Sequence, residues 1–249
     1  MAFDSTLINP KAFQPVKRCV DIVFCIALAS SMEKYLPAIK RTIKTFYKYI
    51  SENADYTHPA PNELRVRIIG FDSTELSARS SLVESEFFTI PRQIDEFHLF
   101  LDELKTTTTD GFKNNALHAM AIAMKSNWHK NEDVDWDRSR HIIVVISDSV
   151  SMSLEEINNK NSQKSDFPQN YDEMLSAWAN QVENYPHLYP YAMDRMAERL
   201  IAIVPENDYP WCDMSEEFDY AMTAPFSMNM FFGGKSSFNE LIRIVCNFK

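Results

Sequence analysis

Hard oxygen donors stand at three places in the chain where a cation or a partner's polar group could be held. Ser30 and Ser31 follow the apolar run Val20 to Ala27, Asp110 lies in the polar stretch Thr106 to Asn115, and Asp148 follows the apolar run His141 to Ser147. Hydroxyls and carboxylates suit magnesium, which takes near-octahedral oxygen coordination from one or two carboxylates plus hydroxyls and waters. They also suit helix capping. Ser30 and Glu33 spell S-x-x-E at the expected start of a helix, and Ser153 with Glu156 repeats the spacing after Asp148. In that box the serine hydroxyl and the glutamate carboxylate each satisfy a backbone N–H of the first turn. The run Thr106 to Thr109 reads as a polar loop or as a site whose phosphorylation would add about two negative charges.

Other chemistries lack their spacing. His58, His98, His118, His129, His141 and His187 form no H-E-x-x-H, the arrangement that puts two imidazoles on one helix face for zinc. Cys19, Cys25, Cys212 and Cys246 form no C-x-x-C and read as reduced thiols of a cytoplasmic protein. There is no G-x-S-x-G, P-loop or G-x-G-x-x-G, and 4 glycines in 249 residues argue against a glycine-rich phosphate cradle. The residues therefore point to no enzyme. A formal net charge of −10, with no basic stripe in the sequence, disfavours nucleic acid and anionic membranes. No run approaches the roughly 18 apolar residues of a membrane span, and no signal pattern opens the chain.

Positioning the oxygen donors falls to alternating strands and helices. Val20 to Ala27 and His141 to Ser147 are continuous apolar runs, as strands buried on both faces read. Leu64 to Phe71, Ser85 to Ile90, Leu200 to Val204 and Phe226 to Phe232 are further expected strands. Helical spacing marks Leu36 to Ile50, Ile94 to Leu104, Leu117 to Trp128, Tyr171 to Val182 and a closing helix through Phe238, Leu241, Ile242 and Val245. Such alternation implies a mostly parallel sheet covered on both faces. Sites in such sheets form where loops leave the carboxyl ends of strands, which is where Ser30, Ser31 and Asp148 fall. One domain over 1–249 is expected, with a polar surface insertion at about 149–196. Tyr209, Trp211, Phe226, Phe231 and Phe232 are expected in the core or on a partner surface.

Asp21 to Met32, D-I-V-F-C-I-A-L-A-S-S-M, resembles the first strand and loop of von Willebrand factor A domains, where D-x-[ST]-x-S supplies metal ligands. In that register Ala27 stands at the family's aspartate and Ala29 at its first serine or threonine, while Ser31 is kept. The likeness continues through Ala116 and Leu117, the H-I-I-V-V-I-S-D of His141 to Asp148, and the A-I-V-P-E-N-D-Y-P-W of Ala202 to Trp211. It looks most like bacterial proteins of tellurite-resistance-type gene clusters. Their second loop reads G-G-G-D-x-P-E-N before A-L; here T-T-T-T-D-G-F-K-N-N puts Gly111 at the metal-loop position and Asp110 one residue away. Asp148 matches the third element.

The resemblance implies an α/β, doubly wound, mostly parallel sheet with helices on both faces, carrying a degenerate form of the family's metal-binding (MIDAS) motif. It implies a metal-independent module that binds another protein in a bacterial stress or defence system, with no cofactor and no nucleic-acid or membrane partner. The loops of Ala27, Ala29, Ser30, Ser31, Asp110, Gly111 and Asp148 would form its surface. The alternative keeps magnesium, held weakly by Ser31, Asp110 and Asp148 and completed by an acidic side chain of the partner.

Overall fold

A strand that is apolar on both faces needs cover from both sides, and an alternation of strands with helices supplies it. The computed structural model of the chain describes residues 17–54, 59–72, 82–108, 113–129, 138–160 and 167–231, with Phe238, Asn239 and Ile242. In order these carry β1 (Arg18–Ala27), α1 (Leu36–Glu52), β2 (Glu63–Phe71), β3 (Val83–Glu84), β4 (Phe88–Ile90), α2 (Ile94–Glu103), β5 (Lys113–Asn114) and α3 (Ala116–Met124). There follow β6 (Arg138–Ile146), β7 (Val150–Ser151), α4 (Leu154–Lys160), α5 (Tyr171–Trp178), β8 (Glu198–Val204), α6 (Trp211–Glu217) and β9 (Ala221–Pro225).

Among the described residues the main sheet has seven strands, on the path β3-β2-β1-β6-β8-β9 with β4 also paired to β2. Strands β2, β1, β6, β8 and β9 run parallel, and β3 and β4 pair antiparallel with β2. Register sets the carboxyl ends level: Ala27 lies opposite Phe71, Ile26 opposite Ile146, and Ile146 opposite Ile203. The loops after β1, β2, β6 and β8 therefore leave the sheet along one edge.

Every residue from Val20 to Ala27 is at most 1% exposed. Burying each Val, Ile or Phe side chain there contributes about 1.5–3 kcal/mol. Successive strand side chains point to opposite faces. Phe24 meets Phe46 of α1 edge-on at 5.5 Å, whereas the Cys25 thiol donates to the Ala119 carbonyl of α3 at 3.6 Å, so α1 and α3 cover opposite faces of β1. Gly70 in β2 is required by close packing, because a Cβ there would stand 2.5 Å from Leu28 Cδ1.

Several boundaries differ from expectation. Helix α1 starts at Leu36, with Pro37 in its first turn and no side-chain cap; proline is preorganised for that position. Ser30–Met32 instead forms a short 3-10 turn, so the Ser30–Glu33 spacing does not cap α1. The last strand is Ala221–Pro225, and the chain has turned into a 3-10 segment by Met228–Phe231. The aromatic run suggested a strand because aromatics favour half-buried pleated surfaces, but Phe231 packs on Phe238 at 5.5 Å instead. Of the closing helix, Phe238, Asn239 and Ile242 are described and helical, while Leu241 and Val245 lie outside the described residues. The 149–196 segment carries β7, α4, α5 and a 3-10 turn, and its Met152, Ile157, Phe167, Met174 and Trp178 join the same buried cluster as β1.

Candidate functional site

Where β1 ends, Leu28 sets the path of two loops. Its N–H donates to the Phe71 carbonyl at 2.6 Å, and its own carbonyl accepts from the Thr107 N–H at 2.7 Å and the Thr107 hydroxyl at 3.2 Å. The loop after α2 is thereby drawn over the end of β1. Next along the chain, the Ser31 hydroxyl donates to Asp148 Oδ1 at 3.0 Å, and the Ser149 hydroxyl donates to the same oxygen at 3.0 Å. The loops after β1 and β6 thus meet at one carboxylate.

A polar lattice fixes the backbone beneath this contact. Asn114 Nδ2 donates to Ser147 Oγ at 2.6 Å and to the Ser149 carbonyl at 2.9 Å, while its Oδ1 accepts from the Ala116 N–H at 2.9 Å. The Ser151 N–H donates to the Asp208 carboxylate at 3.3 Å. Burial pushes the Asp208 carboxyl up to about 6, against the pull of the Ser151 N–H and the Lys113 charge. Asn114 and Ser147 are fully buried, and satisfied buried polar groups of this kind rigidify what they join.

Of the residues singled out in the sequence, Ser31 and Asp148 are brought into contact. Ala27 and Ala29 are 1% and 3% exposed and present only methyl groups. Ser30 lies in the 3-10 turn between Ala29 and Ser31. Asp110, Gly111 and Thr109 lie outside the described residues. The Ser153–Glu156 box forms as expected at the start of α4: the Ser153 N–H donates to Glu156 Oε2 at 3.0 Å and the Glu156 N–H to Ser153 Oγ at 3.2 Å. Sequence reasoning missed Asn114, Ser147, Ser149, Ser151 and Asp208. The signals were the first of the two asparagines before the A-L pair and the aspartate inside P-E-N-D-Y-P-W.

The described donors do not by themselves fit a dedicated magnesium cage. They are one carboxylate and two hydroxyls already bonded to one another, where magnesium calls for convergent oxygens in a near-octahedral shell. Among the described residues no group of three or more His, Cys, Asp and Glu side chains could hold a metal ion.

Lys40, Arg41, Lys44 and Lys48 of α1 line one groove of roughly 640 Å³ together with Lys105, which follows α2. The expectation of no basic stripe is corrected here: four of these cations recur along α1 itself at helical spacing, and packing of α2 adds Lys105.

No family model matches the chain, and no curated protein sequence matches it. Solved structures do. The pilus adhesin SpaC from Lactobacillus rhamnosus GG is similar with a TM-score of 0.53 at 16% identity, over 94% of this chain and 31% of that one. Its open conformation gives a TM-score of 0.50 at 14% identity, over 94% and 30%. A von Willebrand factor type A structure from Catenulispora acidiphila gives 0.49 at 8% identity, over 92% and 43%. The fold is α/β with a mostly parallel central sheet flanked by helices, the arrangement the resemblance implies. The chain spans about a third of the length of the adhesin it matches. Among the described residues no helix is long and apolar enough to cross a membrane. Trp211 is buried and Phe231 nearly so, Tyr209 is 56% exposed, Phe226 packs on Tyr35 at 5.0 Å, and Phe232 lies outside the described residues.

Proposed function

We propose that the chain is a non-enzymatic module that engages another protein through the loops at the carboxyl edge of its sheet, with no metal ion required. The observation that carries the reading is the Ser31–Asp148 hydrogen bond, in a loop where Ala27 and Ala29 are buried and supply no oxygen ligand. Where the resemblance calls for a cation, a hydroxyl and a carboxylate bind each other directly. Ser31 is exposed and Asp148 half-buried, so the pair offers a partner hydrogen-bond acceptors on a preorganised backbone, which lowers the ordering entropy of binding. No histidine or lysine bonds either side chain among the described residues, so nothing described activates Ser31 as a nucleophile. An adhesin of similar fold supports an interaction role. The setting, a bacterial stress or defence system in the cytoplasm, rests on the sequence resemblance.

A second reading keeps magnesium, favoured by the meeting of Ser31 and Asp148: the ion would sit between them and an acidic side chain of the partner, with Asp110 as a further ligand. Partner capture by the wild type, Ser31→Arg and Asp148→Ala, each with magnesium and with chelator, separates the two. The metal-free reading expects equal capture in chelator and about tenfold weaker capture by Ser31→Arg. It also expects no saturable heat when magnesium is titrated into the protein, and no thermal shift, since a ligand specific for the folded state raises stability by mass action. Saturable magnesium binding lost in Asp148→Ala, with chelator-sensitive capture, would establish the second reading. Unchanged capture by both variants under all conditions would sink both.

A further inference from the structure

We propose that the groove between α1 and the end of α2 is a docking channel for an acidic segment of another protein. This surface is separate from the Ser31–Asp148 contact and does not depend on it. The chain carries a net charge of −10, yet the groove is lined by five Lys and Arg side chains against Glu33 and Asp102. A local field opposite in sign to the whole molecule attracts short anionic segments while the rest of the surface repels long ones.

The cations divide into two sets. Lys40 Nζ donates to the carbonyls of Asp102 at 3.1 Å and Leu104 at 2.5 Å, and Lys44 pairs with Asp102 at 2.6 Å. These two are committed, closing the carboxyl end of α2 and forming the floor. Arg41, Lys48 and Lys105 are exposed, and among the described residues they have no ion pair. They are the groups available to a ligand. Arg41 and Lys48 are seven residues apart on α1, two turns along one face and about 10.5 Å along the axis. An extended peptide rises roughly 3.3 Å per residue. An extended acidic peptide therefore spans Arg41 and Lys48 with carboxylates about three residues apart.

The lining also argues against nucleic acid. Single strands are held by stacking bases on aromatic rings, and among the described residues the groove is lined by one aromatic ring, His98, and by no Phe, Tyr or Trp. Leu36 and Pro37 give it an aliphatic wall instead, suited to the stems of glutamate or to an apolar side chain between acids.

Fluorescence anisotropy with labelled hexaglutamate, at low and at physiological ionic strength, tests the proposal. Saturable binding is expected, weakened by salt, not competed by hexaglutamine, and lowered about tenfold or more in the double variant Arg41→Glu, Lys105→Glu. Both positions are exposed, so the variant should keep the wild-type thermal midpoint, read in the same samples. Asp148→Ala should bind hexaglutamate like the wild type, so a failure of the edge reading leaves this one standing and the reverse. Absence of saturable binding, or equal binding by a folded double variant, overturns the proposal. Hexathymidylate binding as tightly as hexaglutamate would overturn the choice of an acidic protein segment.

Discussion

Asp21 and Asp148 show how position decides what a carboxylate does. Asp21 is 1% exposed, receives two hydrogen bonds from the Arg65 guanidinium at 2.8 and 2.5 Å, and accepts the His129 N–H at 2.6 Å. Removing one partner of a buried pair strands the other charge. Asp21→Ala should lower stability by about 3–5 kcal/mol in urea unfolding, while Asp148→Ala, half-buried at the edge, should lower it by about 1 kcal/mol or less. Glu198 is a third case: fully buried, with neither carboxylate oxygen hydrogen-bonded among the described residues. Burial, reinforced by Asp219 and Asp194, pushes its carboxyl up to about 8. At pH below the ordinary glutamate range both the folded and the unfolded chain hold this proton, and the group contributes no pH dependence. As pH rises from there to about 8 the unfolded chain releases the proton first, so stability falls through that window. The loss is on the order of 5 kcal/mol once complete. Glu198→Gln should flatten this slope in thermal melts taken across the same window; an unchanged slope would refute the assignment.

Gly70 links sheet packing to the candidate edge. A methyl group there would press on Leu28, which is 1% exposed and whose carbonyl holds Thr107. Gly70→Ala should cost about 1–3 kcal/mol, and faster amide exchange at Thr107 would report the displaced loop. The apolar runs that became β1 and β6 were legible because a parallel strand buried on both faces leaves no polar alternation to misread. Strand β9 was not, since the pull of the aromatics toward strand is a packing preference that Phe231 satisfies elsewhere. Helix α6 was missed because Trp211–Glu217 is too short for a clear helical period. The contact of Ser31 with Asp148 could be anticipated from loops at the ends of adjacent strands. The cations of the groove were legible in part, since Lys40, Lys44 and Lys48 recur at four-residue spacing in the helix read from Leu36 to Ile50; only Lys105 joins them through the packing of α2.

Taken as a whole, the molecule has one continuous apolar cluster reaching from Val20 of β1 to Trp178 in the 149–196 segment. That continuity predicts a single cooperative unfolding transition, with tryptophan fluorescence and far-ultraviolet dichroism coinciding. An early fluorescence step would show that the segment melts separately. Pairing across the sheet is uneven in sequence distance. Strand β1 gains β2 on one side with Cys19 opposite Glu63, but on the other side Arg18 waits for Arg138, 120 residues later. On a ribosome adding about 5–20 residues per second, that flank stays open for roughly 6–24 s. An apolar strand with an unpaired flank is a template for wrong pairing. Nascent chains halted before Arg138 should therefore bind chaperones or aggregate, and full-length chains should not. The order in which the strands are made, rather than their final stability, sets when this protein is most at risk.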